Sequence, residues 1–287
     1  MVYKGKGIYS MKEMKVITFL NNKGGVGKSA SISAVAHILA SVYGKKVLMV
    51  DLDPQANISQ LFGYDVSPEE YSLKELLQGK VYPAQDTVED ILKDKEKDIH
   101  ECIFQTEFDN LELIPSYITL SNVENLLIAN VHEPQQFRLD GQLRKVRGEY
   151  DYCFIDCGPS LSLLTINALA ASNEVYIPSK CDRNSRVGIA NVLRMVKSVQ
   201  SFSRNDLRFG GCFLTQYDER KKICKEAWED CREALGEKLL SVTIPTDTKV
   251  EQTTSCNKPV YLLGKNGRAA QSYLELTKVI LKEDSQK

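Results

Sequence analysis

An apolar run, Val16–Leu20, leads into Asn21-Asn22-Lys23-Gly24-Gly25-Val26-Gly27-Lys28-Ser29, and a long helical stretch follows. Strand, glycine-rich turn and helix in that order make a phosphate cradle. Glycines let backbone N–H groups turn inward, and the positive end of the helix adds its attraction for an anion. The candidate cradle runs through Gly24, Gly25, Val26 and Gly27 to Ala30. Lys28 is suited to sit against the β- and γ-phosphates of ATP, with the Ser29 hydroxyl on Mg2+. The loop departs from the pattern GxxxxGK[ST]: Asn22 stands for the first glycine, and a second lysine, Lys23, enters. One triphosphate has no need of two loop lysines approaching from one side. A physical use for Lys23 is to reach the phosphates of a nucleotide held by a second subunit, which would make dimerisation depend on ATP.

Two acidic motifs end apolar runs elsewhere: Asp51-Leu52-Asp53-Pro54-Gln55-Ala56-Asn57 and Asp156-Cys157-Gly158-Pro159-Ser160. Open α/β sheets bind ligands at such strand ends. Asp156 is suited to hold Mg2+, through water. Asp53 is suited to orient or activate an attacking water. Asp51 is expected to organise its neighbours.

On these residues the sequence resembles the ParA/MinD group of P-loop ATPases. KGGVGKS is similar to that group's deviant Walker A motif, and the Asp51–Asn57 segment to its DxDPQ switch. Tyr152–Ser160 resembles its Walker B strand and second switch, and the likeness runs from Met14 to the last helix. The resemblance implies an ATP hydrolase in which Lys23 contacts nucleotide across a dimer. It gives Asp53 a hydrolytic role and makes Asp51, Pro54, Gln55, Gly158 and Pro159 switch residues. Gly158 stands where the group usually has proline. Pro245 and Asp247 match a loop that flanks adenine, with Thr246 in place of the usual arginine.

Within the group, the DPQ switch and Thr165-Ile166-Asn167-Ala168-Leu169 resemble the ParA/Soj partition subgroup. The resemblance implies an ATP-bound homodimer on non-specific DNA, stimulated by a ParB-like partner, in the cytoplasm at the bacterial nucleoid. A MinD-type protein ends in a basic amphipathic membrane helix. Here the apolar residues of Ser272–Leu281 have core spacing and the tail is of mixed charge, so no membrane partner is expected. The rivals are an ATPase of the same type that positions another cargo, and a metabolic P-loop enzyme. Lys23 argues against the metabolic one.

The formal net charge of the 287 residues is −1, which taken whole argues against a nucleic-acid partner. Its distribution reverses that argument. Lys180 to Lys225 holds eleven Lys/Arg against four Asp/Glu, whereas Asp65 to Glu112 holds fourteen acids against five bases. Non-specific DNA affinity needs clustered cations and no base reading. Lys197 and Arg220 match DNA-binding positions of Soj-like relatives, and Arg194, Arg204, Lys221, Lys222 and Lys225 are neighbours that extend the patch. Arg194 and Lys197, three residues apart, share a helix face.

The elements that must position these residues alternate short apolar runs with amphipathic stretches, the mark of an α/β fold with a mainly parallel sheet. Strands are expected at Val16–Leu20, Val47–Val50, Leu111–Ile114, Tyr152–Ile155, Glu174–Ile177, Phe209–Leu214 and Ser241–Ile244. Helices are expected at Lys28–Val42, Leu161–Ala171, Val187–Phe202, Glu219–Leu235 and Ala269–Leu281, with short peripheral ones such as Ser72–Leu77. Most strands are apolar nearly throughout, as when helices cover both faces of the sheet. One domain is expected over residues 14–287, after an N-terminal extension of residues 1–13. The eight cysteines form no CxxC pair and read as reduced thiols. No apolar run reaches the ~18 residues of a membrane span.

Overall fold

The computed structural model describes residues 13–64, 74, 85–182, 185–203 and 207–285. The strands are β1 (Lys15–Phe19), β2 (Val47–Leu52), β3 (Phe104–Gln105), β4 (Leu111–Ile114), β5 (Tyr152–Cys157), β6 (Glu174–Lys180), β7 (Arg208–Tyr217) and β8 (Leu239–Pro245). They form one sheet in the order β3-β4-β2-β5-β1-β6-β7-β8, with only the β3–β4 pair antiparallel. The two-residue β3 is an edge strand that the apolar pattern does not announce. Ser72–Leu77 lies outside the described residues apart from the helical Lys74.

Every residue of β2 and β5 is buried, because helices lie on both faces. Alternate residues feed two cores: Tyr152 and Phe154 face one, Cys153, Ile155 and Cys157 the other. The first core is filled by α1 (Lys28–Ser41) and the last helix, joined by a Ser31 to Tyr273 hydroxyl hydrogen bond of 3.3 Å. That last helix, Arg268–Ser285, buries Ala269, Tyr273, Leu276 and Ile280 there. Its apolar stripe is therefore a core stripe.

Between these lie α2 (Asn57–Leu61), α3 (Val88–Lys93), α4 (Leu120–Ala129), α5 (Arg138–Leu143), α6 (Leu163–Ala171), α7 (Ser185–Phe202), α8 (Lys222–Leu235), α9 (Thr248–Cys256) and α10 (Val260–Leu263), so the last helix is α11. The sequence-based start of α8 at Glu219 is corrected to Lys222. Asp218 accepts from the backbone N–H of Arg220 (3.1 Å) and holds the segment as a loop. Arg220 and Lys221 therefore stand on that loop. Strand order also separates charge. The described end of the acidic segment, residues 85–112, carries β3 and the start of β4 at one edge of the sheet, and the described part of the basic segment carries β7 toward the other.

Candidate active site

Parallel pairing brings the C-terminal ends of three strands side by side. Asp156 on β5 is the register partner of Phe19 on β1 and of Asp51 on β2. The loop leaving β1 opens over these positions. Gly25 (φ 67) and Gly27 (φ 84) adopt left-handed conformations there, which a side chain would strain, and Gly27 caps α1. The loop is pinned from its outer side by residues distant in sequence. The Asn21 amide donates to the Pro178 carbonyl (2.8 Å) and its oxygen accepts from the Lys23 N–H (3.1 Å). Thr215 donates to the Val26 carbonyl (2.9 Å) and Gln216 to that of Gly25 (3.3 Å). The first N–H groups of α1, around Lys28, Ser29 and Ala30, have no intrahelical acceptor and are available to an anion.

The two loop lysines diverge. Lys28 is 6% exposed, and its ammonium rests on the Lys23 carbonyl at 3.3 Å. Lys23 turns outward, about a third exposed, and pairs with the Asp182 carboxylate.

The buried acids also differ from one another. Asp51 accepts from the Asp53 N–H (3.1 Å), the Ser59 N–H (3.0 Å) and the Ser59 hydroxyl (2.8 Å). Burial still lifts its pKa to about 6. Among the described residues, neither carboxylate oxygen of Asp156 has a hydrogen-bond partner. Burial first, and then the charge of Asp51, push its pKa up to about 8. The Ser29 hydroxyl lies outside hydrogen-bond geometry, yet near enough to offset part of that rise together with Lys28. A fully buried carboxylate with unanswered oxygens, beside a serine hydroxyl, fits Mg2+. That ion takes one or two carboxylates, keeps several waters and accepts phosphate oxygens. Among the described residues no group of three or more His, Cys, Asp and Glu is placed to hold a metal by itself.

Asp53 is 7% exposed, and its Oδ1 accepts from the Gln55 N–H at 3.0 Å. The segment Pro54–Ala56 ends in a left-handed Ala56 (φ 51) before α2. The two switch segments lie close together: a β-carbon on Gly158 would lie 3.5 Å from Asp53 Oδ1. Beyond Pro159, Thr165 donates to the Ser160 carbonyl (2.6 Å), and Glu124 on α4 accepts from the Leu164 N–H (3.3 Å) at the start of α6.

Pro245 and Thr246 line a cleft of about 790 Å3 with Asp218, Arg220, Lys221 and Arg268. Asp247 is occupied structurally: it caps α9 through the Lys249 N–H (3.0 Å) and accepts from the Ala269 N–H (3.3 Å). Arg194 and Lys197 are exposed on α7. Arg220 forms a two-point pair with Asp218 (both 2.9 Å), and Lys222 pairs with Glu226 (3.5 Å). Arg186 and Asp230 tie α7 to α8 at 3.3 Å. Arg204 lies outside the described residues.

Sequence reasoning missed Asp182, Ser59, Thr215 and Gln216. The phosphate-loop partners of Asp182, Thr215 and Gln216, namely Lys23, Val26 and Gly25, are more than 150 positions away. Only Ser59 offered a local signal, two residues past the first switch motif.

The sheet order, the cradle and the paired acids define a P-loop nucleoside-triphosphatase. Residues 14–209 match the protein family described as AAA domain, and the chain belongs to it as an ATPase of the ParA/Soj type. It is 35% identical to the chromosome-partitioning ATPase Soj of Treponema pallidum, over 95% of this chain and 99% of that one. A putative plasmid partition protein of Borrelia burgdorferi, solved with AMPPNP, is 26% identical with a TM-score of 0.75, covering 94% of this chain and 100% of that one. Cobyrinic acid a,c-diamide synthase of Mycobacterium smegmatis, solved with ADP and magnesium, is 25% identical with a TM-score of 0.76, covering 95% and 96%. No helix among the described residues is long and apolar enough to cross a membrane.

Proposed function

We propose that the chain is an ATP-driven partition switch: a homodimer in its ATP state that binds non-specific DNA and releases it on hydrolysis. The observation that carries this reading is the divergence of the two loop lysines. Lys28 already fills the interior of its own loop, so Lys23, paired outward with Asp182, is free to cross to a second subunit's nucleotide once that pair opens. Gly24 supports the same reading. A β-carbon there would meet nothing within 4 Å, so this chain's own packing does not require glycine. The open space leaves room for a second chain or a ligand to approach closely.

In this account the cradle from Gly24 to Ala30 binds the phosphates and Lys28 neutralises them. Ser29 and Asp156 would hold Mg2+, Asp156 through water, and the ion when bound would offset the charge that develops on the phosphates. Asp51, fixed by Ser59, holds the backbone N–H of Asp53 and so sets where the Asp53 carboxylate stands. Asp53 then orients the attacking water. The closeness of Asp53 to Gly158 would let hydrolysis be felt by both switches, Asp51–Gln55 and Gly158–Pro159. Glycine at 158 leaves the second switch more backbone freedom than proline would.

DNA would lie on the exposed cations of α7 and the α8 entry: Arg194, Lys197, Arg220, Lys221 and Lys222. Their contacts would be to phosphates, so affinity would be independent of sequence and steeply dependent on salt. A ParB-like partner would stimulate turnover, and the protein would work in the cytoplasm at the nucleoid. The test is DNA binding across a salt series with ATP, with ADP and without nucleotide. ATP-dependent, sequence-independent binding is expected. Equal binding in all three states would contradict the switch.

A further inference from the structure

A third lysine reaches the phosphate loop. Lys180 ends β6, the strand that pairs with β1 on the side away from β5. Its ammonium lies 3.6 Å from the point a β-carbon on Gly25 would occupy. Both backbones are held at this place. The Gly25 carbonyl is tied to Gln216. That of Lys180 accepts from the Asp182 N–H (3.1 Å) and from the Ser185 hydroxyl. The ammonium itself has no hydrogen-bond or ion-pair partner among the described residues. The nearby carboxylate, Asp182, is engaged with Lys23.

The three ammonium groups are therefore in different conditions. Lys23 has a carboxylate and Lys28 has a carbonyl, but Lys180 is half-buried with neither. A partly desolvated ammonium without an acceptor is unfavourable, and an anion at the site would relieve it. The anion must come to the loop, because Lys180 stands at the rim of the cradle, not on the exposed helix faces that carry Arg194 and Lys197.

We propose that Lys180 contacts the β-phosphate of the nucleotide bound by its own chain and raises affinity for both ADP and ATP. This rests on the phosphate-loop reading above. It gives the loop one lysine from α1, one from the far side of β1, and leaves Lys23 for the second subunit.

The experiment is calorimetric titration of ADP–Mg2+ and ATP–Mg2+ into the full chain, Lys180→Gln and Lys180→Arg, at low and high salt. Lys180→Gln should weaken both nucleotides roughly tenfold or more, as for loss of a charged hydrogen bond. Its affinities should also depend less on salt, while Lys180→Arg stays near the parent. The ADP arm isolates the same-chain contact. Affinities of Lys180→Gln within about twofold of the parent would overturn the proposal. So would a loss confined to ATP, or an equal loss in Lys180→Arg, which would mark a structural role. A parent chain that binds neither nucleotide would instead bring down the site reading itself, and the proposal with it.

Discussion

The ends of β1, β2 and β5 and the outer faces of α7 and α8 both carry concentrated charge, under opposite conditions. At the strand ends Asp51 and Asp156 are wholly buried and Asp53 and Lys28 nearly so, and among the described residues Asp156 has no hydrogen-bond partner for either oxygen. On the helices and the loop entering α8 the cations are exposed, and several already have carboxylate partners of their own. Burial makes each charge at the strand ends consequential, because removing or adding one alters ligand binding directly. Exposure makes each helical cation cheap for the fold and weak alone, so only their sum acts on a partner.

Substitutions should widen that contrast in a definite order. Asp53→Ala should lower turnover about 10²–10⁴-fold, the range for a positioned acid–base group, while ATP binding persists. A phosphate-release assay showing retained turnover would remove Asp53 from the reaction. Lys28→Ala should weaken ATP on the order of 100-fold by loss of a charged contact, read by calorimetry; unchanged affinity would overturn the cradle. Ser59→Ala should destabilise the chain by about 1–3 kcal/mol, because Asp51 loses its only side-chain donor among the described residues, the Ser59 hydroxyl. Denaturant titration reads this, and an unchanged midpoint would show that Asp51 does not depend on Ser59. At the exposed end of the comparison, Lys197→Ala with Arg220→Ala should leave stability unaltered and lower the salt slope of DNA binding by roughly 2. An identical slope would place the DNA face elsewhere.

What could be read from sequence follows the same physics. The cradle was legible because its strand, glycines and helix are contiguous, so local backbone chemistry specifies it. The central strands were legible because full burial leaves a continuous apolar run. The edge strand Phe104–Gln105 was not, since two residues show no period. The Lys23–Asp182 pair and the nearness of Lys180 to Gly25 arise only when β6 is laid beside β1. The separation of the acidic residues 85–112 from the basic residues around β7 likewise depends on strand order. The net charge of −1 concealed it.

The central claim is that Lys23 serves a second subunit and not its own loop. Light scattering of the full chain with ATP–Mg2+, in an Asp53→Ala background that holds back hydrolysis, measures this directly. The parent should double from its monomer mass of 32.3 kDa, and adding Lys23→Ala should keep it monomeric while ATP remains bound. A Lys23→Ala chain that dimerises as fully as the parent would contradict the account.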